Sequence, residues 1–274
     1  MNCDERHGRC CGACWVVRGV ASLLDRAAPA WRAWLLRCLD EDGPRGETTP
    51  ITRDDTTPSV GSTSRRVAVG WSENAGSFLP NARPEVLLFA ATIDAACTYV
   101  RGDTTAPPIR LADFVASDGA RASAFDADLL LLAGHGTGPS LGLALPAQEA
   151  LNFRTARFGG SLRWVVLDAC WTFPPNGEGY AWRDAFSGIH LLLGHASAAV
   201  DSQSRGRIFA ELLNEGESVS EAWARAVELT SDASHLWACM APVTNQEALL
   251  GETFMSTAAI EVRYDAFDII VKEA

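Results

Sequence analysis

Apolar residues along the chain gather into short unbroken runs that alternate with stretches of helical period. RRVAVGW (65–71), DADLLLLAGHG (126–136), SLRWVVLDAC (161–170) and SGIHLLLGHASA (187–198) are runs of strand length bounded by polar or Gly-rich residues. Continuous apolar character predicts strands covered on both faces rather than half-solvated ones. Between and after them, PEVLLFAATIDAACTYV (84–100), SQSRGRIFAELLNEG (202–216) and SVSEAWARAVELTS (218–231) space their apolar positions as helices do. GYAWRDAF (179–186) predicts a helical turn or two, PAQEALNFRTARF (146–158) a helix, and SLGLAL (140–145) a short strand or hairpin arm. The tail closes on AAIEVRYDAFDIIV (258–271), whose β-branched content predicts terminal strands. Strand–helix alternation of this kind implies parallel βαβ units: an α/β, three-layer fold with a mostly parallel sheet flanked by helices on both faces.

The region before residue 65 is of a different character. Residues 15–40 carry apolar positions at helical spacing, interrupted at Pro29, and predict an N-terminal helical extension over 1–40. Residues 41–64 turn to Gly, Pro, Thr, Ser and charge, a composition that buries too little apolar surface to order itself, and predict a flexible linker. The main domain is then expected over 65–274.

In an open α/β sheet, reactive groups collect where loops converge beyond the carboxyl ends of the strands. Two strands end in chemistry: LLLLAGHG delivers His135 and Gly136, and VVLDAC delivers Asp168 and Cys170. A thiol nucleophile needs a base to form thiolate and an acid for its leaving group, and a His on a neighbouring strand end suits both roles. Gly136 permits close approach of a backbone N–H to a substrate carbonyl, so that it and the Cys170 N–H form a candidate oxyanion hole.

An apolar strand ending in His-Gly, followed about 35 residues later by one ending in Asp-x-Cys, resembles the clan of caspases, gingipains, separases and CHAT domains. The segment 188–227 is similar to the CHAT-type continuation: a Gly-led apolar strand, a short acidic loop, a helix, Gly-x-Ser and a second helix. The similarity spans roughly residues 65–230. It implies a caspase-like fold, His135 as general base and acid, Cys170 as nucleophile, Gly136 and Cys170 as oxyanion donors, and Asp201 near the position of a pocket acid that selects basic side chains. The caspase signature Gln-Ala-Cys-x-Gly is absent, so the resemblance is to the clan and not to caspases proper.

Composition narrows the partners. With 34 acidic and 23 basic residues the formal charge is −11, which disfavours nucleic acid and anionic membrane surfaces. No apolar run approaches the length of a membrane-spanning helix. The N-terminus lacks the basic start and apolar stretch of a secretory signal, so a cytoplasmic protein with free thiols is expected. Cys3, His7, Cys10, Cys11 and Cys14 hold one half of a zinc-like pattern but no second ordered pair, and no metal or other cofactor is assigned. Around the nucleophile, Asp168 is expected to orient the loop through backbone hydrogen bonds. Trp171 and Trp182 are candidate pocket walls or core plugs, His195 a candidate cleft residue, and His190 a core residue. The function expected is a cysteine-dependent peptidase or amidohydrolase acting on a peptide or amide-bearing substrate. Acyl transfer or ring closure through the same dyad, and a non-catalytic interaction module, are the alternatives.

Overall fold

The computed structural model describes residues 65–73, 78–102, 108–114, 123–136, 140–142, 150–232, 234–257 and 259–273. The expected N-terminal extension and linker, with their cysteine cluster, lie outside the described residues. Within them, β1 (Arg66–Trp71), β2 (Ala96–Gly102), β3 (Leu129–Ala133), β7 (Trp164–Asp168), β9 (Leu191–His195), β10 (Leu236–Pro242) and β11 (Phe267–Glu273) form one seven-stranded sheet in the order β11-β10-β9-β7-β3-β1-β2. The strands from β2 to β9 pair in parallel, and β10 runs antiparallel to both β9 and β11. Two short two-stranded sheets, β4 (Ser140–Gly142) with β5 (Ala150–Asn152) and β6 (Phe158–Gly159) with β8 (Phe186–Ser187), complete the strands.

Every residue of β3 and β7 is buried, as their unbroken apolar sequences require. The strand period of two then sorts side chains between layers. Ala68, Leu130, Leu132, Val165, Leu167 and Leu192 face a core shared with Phe158, Trp182 and Phe186. The opposite positions, which include Asp168 and His195, face α1 (Ala82–Thr92), α2 (Arg205–Asn214) and α3 (Val219–Glu228), packed side by side. 3-10 turns, among them Glu178–Ala185, cover the other face. A last short helix, α4 (Gln246–Leu250), packs on α3 and β10. The expected α/β, mostly parallel and flanked sheet is the observed one.

Two local expectations are corrected, and one strand was not expected at all. The helix predicted over 84–100 stops at Thr92; Ile93 is already extended (φ −65°, ψ 135°), and Tyr99 and Val100 pair with β1 as part of a strand. The helix predicted over 146–158 is replaced, from Ala150, by β5 and a turn. The Asn152 side chain accepts from the Arg154 and Thr155 amides there, a local bond that competes with helix formation. Strand β10, LWACMAP, escaped the pattern because its small and sulfur-bearing residues mimic neither period. Among the described residues no helix is long and apolar enough to cross a membrane.

Candidate active site

The chemistry starts from register. Ala133 at the end of β3 pairs with Asp168 at the end of β7, and the Gly134 amide donates to the Asp168 carbonyl (3.1 Å). His135 and Cys170 therefore stand two residues beyond the same rung of adjacent parallel strands. Gly136 closes the approach: a Cβ built there would collide with the Cys170 carbonyl oxygen and lie 2.9 Å from the Cys170 nitrogen and 3.0 Å from Ala169 Cβ. Only glycine allows the two backbones to touch in this way.

Beyond Cys170 the chain is bent. Trp171 has φ 56°, a left-handed conformation that a bulky residue adopts only under constraint, and its side chain is 41% exposed. The constraint is visible on the neighbouring loop after β9. The Trp171 amide donates to the Ser197 carbonyl (2.8 Å), and the Phe173 amide donates to the His195 carbonyl (2.9 Å). The Ala199 amide in turn donates to Cys170 Sγ at 3.2 Å. Cys170 and His135 are both half-buried. Cys97 is half-buried as well and Cys239 fully buried; burial pushes both of these thiols up to about 12, which holds them protonated at neutral pH.

Below Cys170 lies a buried polar cluster. One Asp168 oxygen pairs with His195 Nε2 at 2.8 Å, and both Asp168 oxygens accept from Arg205 Nη1 at 2.8 and 2.6 Å. Arg205 also approaches Glu85 of α1 at 3.9 Å. Burial alone would raise the Asp168 carboxyl, but the Arg205 charge and hydrogen bonds from His195 and Glu85 outweigh it and hold Asp168 ionised well below the ordinary carboxylate range. Burial and then the Asp168 charge push Glu85 well above that range, so its proton is retained and offered to Asp168. Burial also depresses His195, keeping the ring neutral despite its carboxylate partner.

Several sequence expectations change here. The Asp168 carboxylate engages side chains, not loop amides, because strand parity points it into the helical layer. His195 and Trp182 are fully buried, so neither lines a cleft. His195 packs edge-on against Trp223, and Trp182 stacks on Phe158 with its Nε1 donating to the Thr172 carbonyl. Trp171 keeps the exposure a pocket wall needs. Asp201 is half-buried, and its Oδ2 accepts from the backbone and side chain of Asn81 (3.3 Å each), just before α1. His190 is the core residue expected, 2.6 Å from Glu252. The sequence reasoning missed Arg205, Glu85 and the Ala199 amide. Glu85 and Arg205 sit within helical patterns and meet only because Gly206 lets α2 press on the Glu85 backbone, where any Cβ would collide. Among the described residues no cluster of His, Cys, Asp and Glu could hold a metal. A depression lined by Tyr180, Arg183, Asp184 and residues 264–267 includes neither Cys170 nor His135.

The model of a family described as "Domain of unknown function (DUF6345)" matches residues 111–261. No curated protein matches the chain. Two solved structures are similar to part of the chain. One is a secreted C11 cysteine protease from Bacteroides thetaiotaomicron, "iotapain", with 10% identity and a TM-score of 0.39 over 66% of this chain and 67% of that one. The other is a secreted C11 cysteine protease from the same organism in complex with an irreversible peptide inhibitor, with 11% identity and a TM-score of 0.41 over 68% and 67%.

Proposed function

We propose that this chain, which belongs to the DUF6345 family, is a cysteine-dependent peptidase or amidohydrolase with Cys170 as nucleophile and His135 as general base and acid. One observation carries the assignment: the thiol and the imidazole stand two residues beyond one shared rung of β3 and β7, with the Gly136 backbone against that of Cys170. His135 takes the proton of the thiol, and the sulfur attacks the amide carbon to form a C–S bond. The resulting oxyanion is held by the Gly136 and Cys170 amides. As the C–N bond breaks, His135 returns the proton to the leaving nitrogen. Water, deprotonated by His135, then cleaves the thioester and restores the thiol. The Ala199 amide, 3.2 Å from Sγ, keeps a donor aimed at the sulfur throughout this cycle. Trp171 offers its exposed indole as a wall for the substrate, a peptide or another amide.

The test is labelling of the purified full-length protein with an acyloxymethyl-ketone probe, alongside turnover of a peptide library. Selective labelling at Cys170 is expected, with turnover abolished in Cys170→Ala and lowered about a hundredfold or more in His135→Ala. Full turnover in Cys170→Ala would overturn the assignment.

A further inference from the structure

We infer that Arg205 is a positioning residue for Cys170, and that its single guanidinium clamps together the two loops between which the sulfur lies. The inference rests on Cys170 being the nucleophile. The arginine side chain is 1% exposed, and each of its three nitrogens is committed. Nη1 donates to both oxygens of Asp168, two residues before Cys170 (2.8 and 2.6 Å). Nη2 donates to the Val200 carbonyl (2.8 Å), one residue after the Ala199 amide that reaches Sγ. Nε donates to Thr230 Oγ1 (3.1 Å) just beyond α3, which fixes the plane of the fork. The contact between Sγ and the Ala199 amide thus has one partner on the β7 loop and one on the β9 loop, and both loops hang from the same rigid group.

Stability alone does not account for this arrangement. Replacing a buried ion pair by well-packed apolar side chains is often neutral or stabilising, so a buried Arg–Asp pair contributes geometry more readily than stability. Lysine cannot substitute, because an ammonium is a single point of charge whereas the guanidinium offers donors in a fixed fork. Held in place, the fork keeps the Ala199 N–H aimed at the sulfur before substrate arrives. Released, the two loops are free to part and the sulfur loses its donor.

The experiment uses the full chain and reads iodoacetamide alkylation of Cys170 by peptide mass spectrometry, with melting temperature followed in parallel. Alkylation needs no turnover. A lack of peptidase activity would therefore sink the proposed function and leave this inference standing, while unchanged labelling in the arginine variants would sink this inference alone. Arg205→Lys and the paired variant Arg205→Met with Asp168→Leu are expected to label roughly ten- to a hundredfold more slowly than the parent, the scale of loss when a reacting group is misplaced. The paired variant also strips His195 Nε2 of its buried acceptor and is expected to melt below the parent, so its labelling rate is read per folded molecule. Thr230→Val, which keeps shape but removes the Nε acceptor, slows labelling less than Arg205→Lys, and it decides the matter if the arginine variants do not fold. Parental labelling rates in Arg205→Lys, in the paired variant, or in Thr230→Val as the sole folded variant would overturn the clamp.

Discussion

A buried histidine–carboxylate pair lies at each end of β7 and β9. At the carboxyl edge Asp168 and His195 meet at 2.8 Å, and at the amino edge Glu252 meets His190 at 2.6 Å. Each pair recruits further polar groups: Arg205 above, and below the Trp164 indole N–H at 3.2 Å and the Arg163 guanidinium at 3.7 Å. The difference lies in what the pairs hold. The Glu252 cluster ties the tail to the strand starts and to α3, whose Val219 amide donates to the Glu252 carbonyl. The Asp168 cluster supports two loops that converge on a half-buried thiol. A buried histidine–carboxylate pair is thus a general fastening, and the proposed chemistry belongs only to the edge where parallel strands release their loops beside a glycine that lets backbones approach.

The sharpest way to break this contrast is to damage each edge separately. Gly136→Ala adds one methyl group that meets the Cys170 carbonyl oxygen, which no rotamer change can relieve. The loops must part, and turnover per folded molecule is expected to fall about a hundredfold with only a modest change in melting temperature. Glu252→Leu strips His190 and the Trp164 N–H of their buried acceptor and is expected to cost about 3 kcal/mol of stability while leaving Cys170 labelling in the folded protein unchanged. Denaturant titration and probe labelling on both variants check the pair. Equal effects on labelling would mean that the two edges are not functionally distinct.

How much of this was legible in the sequence follows from the range of each interaction. His135, Gly136 and Cys170 could be read because strand polarity and a two-residue period fix where a strand delivers its last side chains, and parallel pairing sets those ends level. Asp168 was legible in place but not in partner, since period two says that a side chain faces a layer, not what that layer contains. The same limit misassigned His195 and left Trp182 open between pocket wall and core plug: each flanks Cys170 in sequence or strand order, yet His195 turns into the helical layer and Trp182 into the opposite core. Arg205 and Glu85 were out of reach altogether. Their meeting depends on how closely α1 and α2 pack at Gly206, a contact between residues 120 apart in the chain. Strand β2 was lost because the helix before it ends without a glycine or proline to mark the stop.

A smaller effect sharpens the upper edge by pH. Burial holds His195 neutral in the native state, below its ordinary value of 6.5. Once unfolded, the ring takes up a proton below that value, so the unfolded state binds more protons and stability falls as the pH drops through the region beneath 6.5. The Asp168 contribution does not intrude, since its carboxyl is held well below the ordinary range and its stabilisation is lost only in stronger acid. Between pH 7 and pH 5 this ring alone is expected to lower the free energy of unfolding by up to about 1.4 kcal/mol for each unit below 6.5, while Glu85, raised by burial, takes up its proton on folding and contributes with the opposite sign. His195→Gln, which keeps a donor for Asp168 but does not titrate, is expected to lack that part of the decline. Identical pH slopes for parent and variant in thermal unfolding would show that the buried ring does not stay neutral.

The smallest expected effect concerns Asp201, where the upper edge meets the start of α1. Its Oδ2 accepts two hydrogen bonds from Asn81, and the Asn81 side chain returns one to the Asp201 carbonyl at 3.0 Å. Asp201→Ala removes the first two and leaves the third, so a loss of about 1 kcal/mol is expected. Asp201→Asn retains an acceptor oxygen of the same reach and is expected to melt with the parent. Charge separates this fastening from the pocket role that the sequence resemblance implies. Were the carboxylate to receive a basic side chain of the substrate, the Asn variant, though fully stable, would lose preference for Arg or Lys over neutral residues in a peptide library. We expect the preference to be unchanged, because the carboxylate is half-buried and its Oδ2 is held by two Asn81 donors.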